Sequence, residues 1–137
     1  MVQKIMHDPL FLAMRSAEAV KEDLSVAKDL TDTLKANADR CVGMAANMIG
    51  IRKRIIVFND NGTYMCMLNP EIIKREQPFE TKEGCLSLRG EPRACKRYKK
   101  IKVRWQNECF QTRIKTFEGF TAQIIQHEID HCNGILI

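Results

Sequence analysis

Near the end of the chain the sequence reads QHEIDH, Gln126 to His131, and no other feature restricts the possible folds as much. The hexapeptide lies inside Gly119 to Cys132, where Ala122, Ile125, Ile129 and Cys132 recur at helical spacing and Gly134 follows as a stop signal. Residues four apart on a helix sit one above the other, so His127 and His131 share a face and both imidazoles can reach one metal ion. Glu128 then stands beside the ion's open position instead of pointing at the ion. H-E-x-x-H carries this meaning only on a helix, and here the helix is inferred independently of the motif. The plain alternative is a helix that turns all three side chains to solvent.

A catalytic metal needs a third protein ligand and an open coordination position. Only CNGILI follows His131, with no carboxylate or imidazole side chain in it. Cys132 is one residue round the helix, about 100° away. The third ligand therefore comes from upstream, and the fold must carry it to the last helix. Cys85, in the segment EGCLS at Glu83 to Ser87, is best placed. Gly84 removes bulk beside it, and a turn there exposes both the thiolate and the next backbone N–H.

The rest of the chain supplies the frame. Leu24, Ala27, Leu30, Leu34 and Ala38 recur at helical spacing from Glu22 onward, which predicts an amphipathic helix ending near Asn37 to Arg40. Met1 to Ser16 has no clean period and reads as irregular chain. Cys41 to Gly50, CVGMAANMIG, reads as a loop or short strand. Arg54 to Phe58 and Tyr64 to Leu68 flank the turn signal Asn59-Asp60-Asn61-Gly62 and predict a hairpin. Asn69-Pro70 is expected to break the second strand, with Glu71 to Arg75 resuming extended structure. Gln77 to Arg93, rich in Gly, Pro and charge, reads as a loop. Lys100 to Trp105 alternates with period two, Ile101, Val103 and Trp105 on one face, and Cys109 to Phe117 is its expected partner. The result is an α+β fold. Antiparallel strands pack around a C-terminal metal-binding helix, with an N-terminal amphipathic helix, in a single domain spanning 1–137.

Composition narrows the functional classes. No apolar run approaches the ~18 residues of a membrane span. Pro9 to Met14 is too short for a secretory signal, so the cytoplasm is the expected compartment. Six cysteines form no C-x-x-C pair, and read as free thiols or metal ligands instead of a disulfide framework. The net charge is +5, with basic residues concentrated at Arg93, Lys96, Arg97, Lys99, Lys100, Lys102 and Arg104. That run reads either as a solvated strand face or as a weak contact surface for ribosomal RNA.

Taken together, these segments resemble the peptide deformylases, which remove the N-formyl group from nascent proteins. The family is marked by three motifs. EGCLS at Glu83 to Ser87 and QHExDH at Gln126 to His131 are matched in full, in the family's order and spacing. Against the first motif, GxGLAAxQxG, the chain has CVGMAANMIG: Gly43, Ala45, Ala46 and Gly50 agree, and Met44 replaces leucine. The resemblance implies that Cys85, His127 and His131 hold one divalent transition metal, Fe(II) first, with Zn(II), Ni(II) and Co(II) as alternatives. It implies Glu128 as general base and acid, the Leu86 N–H as oxyanion donor, and Val42 and Gly43 as the edge that holds an extended N-formylmethionyl peptide. Met44, Met48 and Gly84 join the expected substrate site. Phe120 and Ile124, on the helical face of His127, are expected to line the methionine pocket.

Two departures accompany the match. Met48 stands where the family has a glutamine that donates to the oxyanion, and a thioether donates nothing. Many bacterial members also continue with a further helix where this sequence reads Ile135, Leu136 and Ile137, expected here to be an apolar tail on the core. The expected activity is deformylation, at reduced rate, by a monomer. The alternatives are a non-catalytic metal-binding or ribosome-associated relative, or a hydrolase for another small N-acyl group.

Overall fold

The computed structural model describes residues 1–137. Eight α-helices and β-strands follow in order, α1 (Pro9–Leu12), α2 (Leu24–Ala36), β1 (Gly43–Ala45), β2 (Ile55–Asp60), β3 (Thr63–Cys85), β4 (Leu88–Gln106), β5 (Thr112–Glu118) and α3 (Gly119–Cys132), with short 3-10 turns at Lys21–Asp23 and Ala46–Ile49. The short α1 lies in the stretch read as irregular. Asp8 starts it by accepting from the Leu10 N–H at 3.0 Å, and Pro9 suits the first helical turn.

The five strands form one antiparallel sheet in sequence order. Its two faces are sorted by β2. Ile55 and Val57 point into a cluster with Ala27, Leu30 and Leu34 of α2, while Ile56 and Phe58 point into a second cluster with Ile125 and Ile129 of α3. A strand covered on both faces reads as a continuous apolar run, which is what IIVF is. Ile101, Val103 and Trp105 join the α3 side as their alternation predicted, and Phe117 of β5 packs its ring on Trp105 at 5.8 Å. No helix is long and apolar enough to cross a membrane.

Two sequence expectations fail in β3. Asn69-Pro70 does not end the strand. It produces a register shift between Leu68 and Glu71, with Asn69 at φ 51°. Asparagine tolerates that left-handed conformation, so the ladder bends there and continues. Gln77 to Arg93 is no loop either. It forms the distal end of a long β3–β4 hairpin in which Glu76 faces Lys100, Glu80 faces Lys96 and Glu83 faces Arg93. Across the two strands Glu71–Arg104, Glu76–Lys100 and Glu83–Arg97 come within ion-pair distance, which offsets part of what the segment lacks in apolar content. The hairpin turns at Leu86 and Ser87, directly after Cys85. In the terminal tail only Ile137 is buried, while Ile135 and Leu136 are exposed.

Candidate metal centre

Cys85 closes β3, and His127 and His131 stand one turn apart on α3. The sheet–helix packing brings the three together, with the thiol sulfur and imidazole nitrogens all within 4.8 Å of one another. The His127 and His131 Nε2 atoms face each other at 3.1 Å. His127 Nδ1 lies 2.8 Å from Glu83 Oε1, so the ring donates its N–H there and turns its other nitrogen toward Cys85 and His131.

The electrostatics ask for a cation at this point. Burial works against a charged His127, but its hydrogen bonds with Cys85 and Glu83 outweigh that and push it up to about 10. Burial and the neighbouring His127 push His131 down to about 3, leaving it a neutral ring. A site that draws one positive charge onto a thiol and two imidazoles suits a divalent ion in place of the proton. One thiolate and two imidazoles are a soft set of the kind that binds transition metals.

Around these residues runs a network only partly legible in the sequence. Glu83 accepts from Arg97 through both carboxylate oxygens (2.7–3.1 Å) and from Gln123 Nε2 at 2.8 Å. These bonds and that of His127 overcome the effect of burial and hold Glu83 down to about 2. Arg97 also donates to Asp130 Oδ2 at 2.7 Å, tying β4 to α3. Arg97 was grouped with the surface basic run, yet it is only 4% exposed. Its parity gives the signal, since it falls in phase with Ile101, Val103 and Trp105 on β4. His7, isolated in sequence, also comes in, its Nδ1 3.0 Å from the Ser87 carbonyl.

Beside the cluster, Glu128 is buried and its Oε1 has no hydrogen-bond partner. Burial pushes its carboxyl up to about 7. It reaches this position because β1 lies almost on α3. A Cβ at Gly43 would meet Ile124 Cγ2 at 2.7 Å and Glu128 Oε2 at 2.9 Å, so only glycine permits the approach.

Glu128 forms part of the floor of a cavity of about 270 Å³. One wall is Cys41, Val42 and Gly43, and the other is Gly84, Cys85 and Leu86. Met48, Ile124 and Phe120 supply apolar surface, with Phe120 64% exposed at the rim. Met44 does not line it: its side chain is fully buried in the α2-side core. Alternation along β1 turns Met44 to the face opposite Ala45, which packs on the α3 side.

The family model for polypeptide deformylase matches residues 2–137. The chain belongs to the peptide deformylase family. A peptide deformylase of Clostridium beijerinckii is 52% identical over the full length of both chains. Peptide deformylase 2 of Clostridium acetobutylicum is 37% identical over 89% of this chain and 81% of its own. Among solved structures, the Thermotoga maritima peptide deformylase superposes with TM-score 0.89 at 31% identity, over 99% of this chain and 95% of that one. A class I type b peptide deformylase from Acinetobacter baumannii, bound to Met-Ala-Ser, gives 0.88 at 27% identity, over 99% and 97%. As a peptide deformylase the chain is a metallohydrolase that removes N-formyl groups, and its Cys/His/His cluster can coordinate a divalent metal.

Proposed function

We propose that the chain is a single catalytic domain, monomeric and cytoplasmic, that deformylates N-formylmethionyl peptides emerging from the ribosome. The observation that carries this reading is a thiol and two imidazoles converging beside a buried, unpartnered carboxylate at the floor of a cavity. The Met-Ala-Ser bound by the Acinetobacter baumannii relative is a methionine-led peptide of the kind this cavity would release. Weak ribosome contact enters the reading through Lys96, Lys99 and Lys102, which no carboxylate pairs. Lys100 and Arg104 are engaged by Glu76, Glu118 and Glu71.

Cys85, His127 and His131 would hold the ion, Fe(II) in our reading, with Zn(II), Ni(II) and Co(II) chemically admissible. When bound, the ion supplies Lewis acidity toward the formyl carbonyl and acidifies water. Glu128 takes a proton from the attacking water as its oxygen bonds to the formyl carbon. The Leu86 N–H donates to the oxygen on which negative charge develops. Glu128 then passes its proton to the amine nitrogen as the C–N bond breaks, giving formate and a free N-terminus.

Val42 and Gly43 would pair with the substrate backbone as an added strand, using the free edge of β1. Such pairing reads no side chains, so downstream sequence is admitted broadly. Ile124 and Phe120 would contact the methionine side chain, worth ~1–3 kcal/mol of selectivity, with Met48 at the formyl end. A formyl carbon bears hydrogen where an internal peptide carbonyl bears a residue, and the close Gly43–Glu128 approach would exclude the larger group.

Formate release from a formyl-methionyl peptide tests the reading, with protein kept reduced and anaerobic with Fe(II). We expect hydrolysis of the formyl peptide and not of its acetyl counterpart. A rate equal to that of the metal-free control would favour a non-catalytic relative. Acetyl cleavage would favour a different N-acyl substrate.

A further inference from the structure

The mechanism leaves two charged residues of the cavity without a role. Arg40 and Lys82 both line it, and both are exposed. Arg40 has one side-chain hydrogen bond, to Asn37 Oδ1 at 2.9 Å, and no carboxylate pairs with either cation. Of the two carboxylates that line the cavity, Glu83 is engaged by Arg97, Gln123 and His127, and Glu128 is buried on the floor and pairs with neither cation. The mouth therefore carries two uncompensated positive charges.

Their positions along the chain are matched. Arg40 precedes Gly43 by three residues and Lys82 precedes Cys85 by three. Lys82 is on β3, three extended residues of about 3.3 Å each before Cys85, which sets it ~10 Å from the reacting end, and Arg40 stands at the end of the turn that leads into Val42 and β1. A peptide laid antiparallel along β1, its formyl group beside Glu128, runs its second and third residues out through the mouth that these two cations line. Successive side chains of such a peptide point to opposite sides. Arg40 on the β1 side and Lys82 on the β3 side can thus each meet one of the two.

We propose that Arg40 and Lys82 form a cationic rim that selects formylmethionyl peptides carrying acidic side chains at the two residues after methionine. This rests on the deformylase reading and adds a substrate preference to it. The methionine pocket fixes the first residue by apolar contact, and the rim grades the next two by charge. The net charge of +5 favours the same peptides during encounter.

The test compares kcat/KM for formyl-Met-Glu-Glu-amide and formyl-Met-Gln-Gln-amide, the amides removing any terminal carboxylate. Two exposed charge pairs predict a preference of about fivefold for the acidic peptide. The ratio should fall below about twofold at high salt and in the double variant Arg40→Gln/Lys82→Gln. Arg40→Glu/Lys82→Glu should reverse it, favouring formyl-Met-Lys-Lys-amide. A ratio near one in the unaltered protein, or one unchanged by the double Gln variant, overturns the rim. If no formyl peptide is hydrolysed, the deformylase reading itself fails, and calorimetric binding of Met-Glu-Glu-amide and Met-Gln-Gln-amide decides the rim separately. Tighter binding of the acidic peptide, by about fivefold, supports it, and equal affinity refutes it.

Discussion

The side-chain amide of Asn47 donates to the backbone carbonyl of His131 across 2.9 Å, fully buried. That bond ties the turn after β1 to the last turn of α3, and it commits the one amide adjacent to Met48. The cavity therefore has an apolar thioether where the family places a donor, with no neighbouring amide to replace it. Met48→Gln should raise kcat by ~10-fold or more, toward the ~10² that one oxyanion donor is worth, with little change in KM. Steady-state formate release measures this. An unchanged kcat would mean that another group already supports the oxyanion.

Glu128→Gln keeps the size of the side chain and removes its basicity. Turnover should fall by ~10²–10⁴-fold while bound metal, determined by elemental analysis, stays at one ion per chain. Parallel loss of metal would instead give Glu128 a part in holding the ion.

Gly43→Ala tests the contact between β1 and α3. The new methyl would sit 2.7 Å from Ile124 Cγ2 and 2.9 Å from Glu128 Oε2, and one of them must move. Activity should drop by at least ~10², because a displaced base is misaligned for proton transfer. Thermal melting and formate release measured on the same sample separate this from general destabilisation.

Arg97 holds two carboxylates, and Arg97→Met would leave Glu83 and Asp130 without their counter-charge. The expected cost is ~3–5 kcal/mol in denaturant unfolding, with metal affinity weakened ~10–100-fold because Glu83 orients His127. Glu83 is held down to about 2 in the fold, against 4.5 as a free side chain. Its contribution to stability is therefore complete above about pH 4.5 and is lost as pH falls through about 2. Acid titration of the metal-free protein, followed by circular dichroism, should show that limb and its loss in the variant.

The free thiols should separate by exposure and protonation. Cys109 is exposed, whereas burial pushes Cys66 and Cys132 up to about 12 and keeps them as inert thiols. Brief iodoacetamide treatment followed by peptide mass spectrometry should find Cys109 alkylated first. Cys66 and Cys132 should stay unmodified until the protein is unfolded.

Much of the frame was visible as periodicity. The stripe on α3 and the alternation Lys100 to Trp105 each reflect one covered face, and burial of one face is what a pattern records. The H-E-x-x-H spacing and EGCLS likewise pointed to the three residues that converge. What escaped has a common cause. Arg97 is buried by partners distant in sequence, and its charge masked its inward phase. The β3–β4 hairpin is held by cross-strand Glu–Lys and Glu–Arg pairing, which leaves no apolar period to read. His7 meets Ser87 only through tertiary packing. Asn69-Pro70 has the composition of a strand end, and the register shift that absorbs it exists only because β4 runs alongside.

Cys85 and the two histidines come from opposite ends of a hairpin-to-helix closure, and only docking of α3 on the sheet unites them. An ion held there acts as a rivet: its binding free energy adds to the cohesion between strand and helix and disappears when either lets go. Chelation should therefore loosen α3 before the rest of the molecule, and catalysis should fade at temperatures where the sheet is still intact.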